Sequence, residues 1–432
     1  MDSLPSGAAR HTPGRRRADL PPGRDSRWHR LALVLLVSLT VLVSGATPPD
    51  WRSTVDSVIA PHRFSPVGWH VRQFAELLKP VTTPPEALSD PADFVIGYYV
   101  RLTVARSLEE TPAGTPPEEQ AFLQATRPIV ERILAAQVRE AYRERGVYSP
   151  LDRLLPLPVT FPPVWFALEP PPHLLVISPR TEIASLRQEL LVQTMDLATM
   201  EAIEREVEAL DLSALVTHIG GLGATYPAIV SDDNSLRYTI ETVAEEWLHQ
   251  YLTFTPLGWD YVLHLLNIRP DYSIAQINES LAGVVTDEIG DAVWERYYAP
   301  RLPAVDPAPA EPDSFDYRAF MRETRVQAEV LLAKGQVEDA EAWMESRRQV
   351  LVAEDYRIRK LNQAYFAFHG TYADAPGSVT PVGDQLRALR AASGSLSDYM
   401  NTVVRIRSQQ DLLDLLEQRS LGTAQQAPVP SP

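Results

Sequence analysis

The chain has 432 residues, of which 45% are hydrophobic and 22% charged; it carries 38 Pro, no Cys and a formal net charge of −16. That acidic balance excludes a nucleic-acid binder, which relies on a basic surface. The absence of Cys leaves His, Asp and Glu as the metal-binding side chains, and the length implies one large or two medium domains.

Residues 1–30, a basic head, hold seven Arg against three Asp, a net of +4, so the remainder carries −20. "LALVLLVSLTVLVSGA" follows from Leu31 to Ala46, sixteen residues with no charge. At ~1.5 Å per residue a helix of that length spans roughly 24 Å, a little less than a ~30 Å hydrocarbon core. Two readings fit: a transmembrane signal-anchor, or a signal segment cut after "SGA". Under both, positive charge stays inside and the acidic bulk is extracytoplasmic: a single-pass protein of the cell membrane in the first case, secreted in the second.

Residues 47–155 read as a helical N-terminal region. "SPVGWHVRQFAELLKP" has helical spacing through Val67, Val71, Phe74 and Leu78, and a long helix closes at Gly146. From 156 to 300 the pattern is mixed. "HLLVISP" (His173 to Pro179) is a short apolar run with the character of a buried strand. "SLRQELLVQTMDLATMEAIEREVEAL" reads as one or two helices, and "LSALVTHIGGLGATYPAIV" as one or two strands with a turn. A helix containing Glu245 follows, then another from about Ser273 to Tyr298. Residues 301–314 form a Pro-rich linker. Residues 315–420 are helical, with a hairpin turning at Gly335, and 421–432 read as a disordered tail. Trp69, Trp165 and Trp294 are expected in the core.

The chemistry-bearing stretch is Glu245-Glu246-Trp247-Leu248-His249. Glu245 and His249 are four apart and share a helix face, with Glu246 one step round. Ile240, Val243, Trp247 and Tyr251 form the neighbouring apolar stripe. A second candidate segment is Asn278-Glu279-Ser280-Leu281-Ala282, followed by Gly283, which would let two helices approach closely. An E-x-x-H triplet also occurs in di-iron proteins, but those need a second copy and this chain has none. "GGLG" at Gly220 to Gly223 lacks the Lys of a phosphate loop and reads as a tight turn.

Together these segments resemble the gluzincin metallopeptidases, in which a zinc helix H-E-x-x-H precedes a helix carrying N-E-x-x-A. "LNQAYFAFHGTYAD" is similar to the tail of bacterial aminopeptidases with an N-terminal membrane segment. The resemblance implies an α+β, mainly helical fold with a gluzincin-like domain, acting on a peptide or protein substrate through a metal-activated water. Carried across residue by residue, Glu246 is the catalytic base, His249 and Glu279 are metal ligands, and Glu245 stands where a His ligand belongs. "IGGLGATYP" falls where gluzincins place a substrate-pairing edge strand. His369, Tyr372 and Tyr226 are candidates for stabilising the transition state. Glu in place of His brings the first shell near neutrality around Zn²⁺ and favours harder ions such as Mn²⁺. The alternative is an inactive descendant that has lost the metal and binds a peptide or partner.

Overall fold

The computed structural model describes residues 50–426, apart from 78–86, 88, 110, 112–113, 151–158, 233–234, 267, 303–314 and 372–374. The basic head, the uncharged Leu31–Ala46 run, most of the Pro-rich linker, Tyr372 and the last six residues lie outside the described residues. Among the described residues, no helix is long and apolar enough to cross a membrane. The chain divides into Met1–Thr54 and Val55–Pro432. Of the first unit only the residues from Asp50 are described, and the account below concerns the second.

The fold is α+β and mainly helical. In chain order the elements are α1 (Trp51–Ile59), α2 (Pro66–Leu77), α3 (Pro91–Glu109), α4 (Pro117–Glu144), β1 (Phe166–Leu168), β2 (His173–Pro179) and β3 (Arg187–Leu191). Next come α5 (Leu197–Glu208), β4 (Leu212–Thr217), β5 (Gly221–Leu222), β6 (Ala228–Val230), α6 (Leu236–Leu252), α7 (Pro256–Leu265) and α8 (Tyr272–Val293), which ends in a π-helical turn, Trp294–Tyr298. The remainder is α9 (Tyr317–Ala333), α10 (Val337–Ala353), α11 (Gln363–His369), α12 (Val382–Ala391), α13 (Leu396–Val403) and α14 (Gln409–Gln426).

Two small sheets flank the helices. In one, β2 is central and pairs antiparallel with β3 and β4. Its unbroken burial explains the continuous apolar run of its sequence. In the other, β6 is central, parallel to β1 and antiparallel to β5, which leaves β5 as an outer strand. One hydrophobic cluster runs from α3 and α4 through β1, β6, α6 and α8 to α12, α13 and α14. Segments from the N-terminal, central and C-terminal thirds therefore share one core.

Several local expectations are corrected. Arg187–Leu191 is a strand, not the start of a helix: pairing of the whole segment with β2 overrides its helix-favouring composition. In α2, Val67 and Val71 are exposed, at 75% and 66%, while Trp69 is fully buried. The helix is held through its other face, where Trp69 Nε1 and Gln73 Nε2 donate to Glu169. Trp165 and Trp294 are only partly buried; Trp165 stands edge-on to Tyr226, and Trp294 packs at the margin of the core. The last helix reaches Gln426, so the start of the expected tail is helical. The hairpin of α9 and α10 does turn at Gly335, whose φ of +73° is a left-handed conformation that glycine adopts without strain.

Candidate metal centre

Local sequence fixes where the helices of the site begin. Ser235 caps α6 by accepting from the Tyr238 N–H. Thr255 caps α7, with Pro256 at its first position, and Asp271 caps α8 by accepting from the Ser273 and Ile274 N–H groups. The apolar stripe of α6 is buried as its spacing requires, including Ile240, Val243, Trp247 and Tyr251. Two bonds lock the helix against its surroundings: Tyr142 Oη donates to the Ala244 carbonyl at 3.0 Å, and Trp247 Nε1 donates to the Pro162 carbonyl at 2.8 Å. The helices α6 and α8 pack together, with a close approach at Gly290, where an added Cβ would lie 2.7 Å from Glu241 Cγ.

This packing brings Glu245, His249 and Glu279 together. One donor atom from each lies within 4.8 Å of the others. His249 Nε2 is 3.7 Å from Glu279 Oε2. On the far side of the ring, His249 Nδ1 donates to Asn278 Oδ1 at 3.0 Å. That bond places the proton on Nδ1 and leaves the Nε2 lone pair facing the carboxylates, the arrangement a metal-binding histidine needs. Glu279 is 6% exposed, and its Oε2 is buried with no hydrogen-bond partner. A buried carboxylate oxygen left unpaired is costly unless something cationic meets it. One nitrogen and two carboxylates form a donor set suited to Zn²⁺ or Mn²⁺, so the residues present fit a divalent cation.

Glu246 lies beneath the outer strand. An added Cβ on Gly221 would fall 2.2 Å from Glu246 Oε1, and one on Gly223 would fall 2.8 Å from Oε2. The "GGLG" segment is thus a place where backbone passes directly over a carboxylate, and only glycine permits it. Gln250 ties the same loop down by donating to the Thr225 carbonyl at 2.7 Å. Burial pushes the Glu246 carboxyl well above its usual range; the charges of Glu245 and Glu279 add to this, and the Gly223 N–H opposes it. Burial likewise raises Glu245 to about 7, with His249 opposing and Glu279, Asp287 and Glu241 reinforcing. Burial thus raises the proton affinity of both Glu245 and Glu246 when no cation is bound.

No protein-family model, no curated protein and no solved structure matches the chain. The functional reading rests on the residues themselves.

The three candidates for transition-state stabilisation are not drawn to the cluster in the same way. Tyr226 gives its hydroxyl to the Pro163 carbonyl at 3.3 Å, and its N–H to His70 Nε2 at 3.1 Å. His369 packs against Tyr365 and Phe368, and burial lowers it to about 4. Its neighbours reach α8, since Tyr272 Oη donates to the Ala367 carbonyl at 3.0 Å, about two helical turns before Glu279. Tyr372 lies outside the described residues. The residue that does reach the cluster is Tyr261, on α7. Its hydroxyl donates to Glu279 Oε1, and its ring lies 6.1 Å from that of His249, at an interplanar angle of 28°. Sequence reading missed α7, although Thr255-Pro256 is a helix-start signal. Two open surface depressions, one around Ile406 and Asp411 and one around His62 and Asp196, share no residue with the cluster.

Proposed function

We propose that the protein is a metal-dependent hydrolase of peptide bonds, with Glu245, His249 and Glu279 as cation ligands and Glu246 as the base. The supporting observation is the convergence of these three donors around a buried, unpartnered Glu279 Oε2, with Asn278 presenting the His249 lone pair. A divalent cation held there would supply Lewis acidity, acidifying water and polarising a carbonyl. Glu246 is next to Glu245 on the same helix, and as a carboxylate it would accept a proton from the attacking water and pass it to the departing amine. The backbone of β5, an outer strand lying over Glu246, would pair with an extended peptide. The basic head and the uncharged Leu31–Ala46 run support an exported, membrane-anchored placement of this activity.

A second reading is favoured by two features: Glu at position 245 and the close cover of Gly221 and Gly223 over Glu246. Under it the chain is a non-catalytic gluzincin descendant whose cleft binds a peptide or partner. Metal content separates the two. The purified protein should carry about one equivalent of Zn²⁺ or Mn²⁺ by mass spectrometry. His249→Ala and Glu279→Ala should lose it, and Glu246→Gln should keep it while abolishing hydrolysis. Equal metal in all three variants rejects the coordination; a protein that binds neither ion and hydrolyses no peptide selects the second reading. Glu245→His removes one negative charge from the donor set and should tighten zinc binding relative to Mn²⁺.

A further inference from the structure

Glu279 has two oxygens in different situations. Oε1 accepts from the Tyr261 hydroxyl. Oε2 is buried, unpartnered and 3.7 Å from His249 Nε2. Tyr261 comes from a third element, α7, whose start is fixed independently by the Thr255 cap and by the Leu257 N–H donating to the Val404 carbonyl at 3.1 Å. Its ring centroid lies 6.1 Å from that of His249 and 6.3 Å from that of His264, at interplanar angles of 28° and 14°. His264 is itself held, because its Nδ1 accepts from the Asp271 N–H at 2.9 Å. The phenol thus lies near two imidazoles and gives its one proton to one oxygen of Glu279.

We propose that Tyr261 is a positioning residue that engages Glu279 Oε1 and so presents Oε2 alone to the cation. The inference rests on the metal-site reading above. A carboxylate with both oxygens free can chelate a divalent ion through both; one whose second oxygen already accepts a strong hydrogen bond offers a single donor. A single donor from Glu279 leaves more of the coordination sphere open to water and substrate, which a catalytic site needs and a structural site does not. Removal of such supporting hydrogen bonds typically weakens metal affinity by about 10- to 100-fold.

The test uses Co²⁺, whose visible absorption reports coordination number, titrated into the full-length metal-free protein, together with Zn²⁺ affinity from competition with a chromophoric chelator. Tyr261→Phe removes one oxygen atom and keeps the ring. It should weaken Zn²⁺ binding at least tenfold and alter the Co²⁺ spectrum, while the far-UV circular dichroism stays that of the parent. Tyr261→p-aminophenylalanine, which restores a donor on the same ring, should recover the parent spectrum, and it serves as the folded comparison should Tyr261→Phe not fold. An unchanged spectrum with affinity within about twofold of the parent overturns the role of Tyr261 and leaves the metal site standing. A parent that binds neither ion overturns both.

Discussion

Glu204 and Glu246 are both buried carboxylates, at 2% and 8% exposure, yet their surroundings are opposite. Glu204, on α5, accepts from the Val216 N–H at 2.7 Å, from Arg359 at 2.8 and 2.6 Å and from Lys360 at 3.1 Å. Burial alone would raise its pKa, but the Arg359 bonds, the Val216 amide and the Lys360 charge outweigh it and hold the group below the usual range. Around Glu246 the nearest charges are Glu245 and Glu279, and burial drives its pKa upward. Every acceptor site on Glu204 is answered from within the chain, which makes it a pin between α5, β4 and the segment before α11. Among the described residues no Arg or Lys is paired with Glu245, Glu246 or Glu279, the setting the proposed cation would complete.

That contrast can be broken by mutation. Glu204→Ala leaves Arg359 and Lys360 without their shared partner and should cost about 3 kcal/mol of unfolding free energy, read by urea denaturation, with metal affinity unchanged. A loss under about 1 kcal/mol would show that the pin is dispensable. Gly221→Ala drives a methyl into Glu246 and should cost about 1–3 kcal/mol. Much of that loss should disappear in the double variant with Glu246→Ala, and strict additivity would deny the contact.

Stability against pH separates the two sites by sign. Glu245 rises from an ordinary 4.5 to about 7 in the folded chain, so the folded state holds its proton more tightly. Its contribution is therefore present below pH 4.5 and is lost as the pH climbs through 7. Glu204 is lowered, so its contribution is present above its unfolded value and is lost as the pH falls through the folded one. Urea midpoints of the metal-free protein from pH 2 to 8 should fall on both sides, and Glu245→Gln should flatten only the neutral limb. The smallest effect belongs to Glu246→Gln at pH 4. Burial raises that carboxyl in the folded chain, so below its ordinary value of 4.5 both states hold the proton and metal-free stability should change by less than about 0.5 kcal/mol.

Much of the cluster was legible because helical spacing is a strong local rule. Glu245 and His249 share a face by arithmetic, and the N-E-x-x-A segment announces a second helix with its Glu one step from Asn278. What spacing does not carry is the partner brought in by a separate element. Tyr261 meets Glu279 only because α7 folds back between α6 and α8, and Gly258 permits that turn: an added Cβ there would lie 2.0 Å from the Leu252 carbonyl oxygen. The strand at Arg187–Leu191 was hidden for a similar reason. Its residues favour a helix alone, and only pairing with β2 makes a strand of them. Val67 and Val71 failed in the other direction, since a periodic apolar stripe says that a helix has a face without saying which neighbours arrive to cover it.

The shared core sets a rule for handling the protein in pieces. Its buried cluster is closed by Leu386, Tyr399, Met400 and Leu412, contributed after position 380, and α12 packs directly on the helix that carries Glu279. A chain still emerging from the ribosome has made every proposed ligand by residue 279, yet lacks the helices that cover α8. Until those last segments arrive, the apolar surface of α8 is open to misassociation. A truncated fragment spanning only 156–300 should accordingly aggregate or stay unpacked. Its failure to bind metal would report on the missing C-terminal helices and not on the ligands.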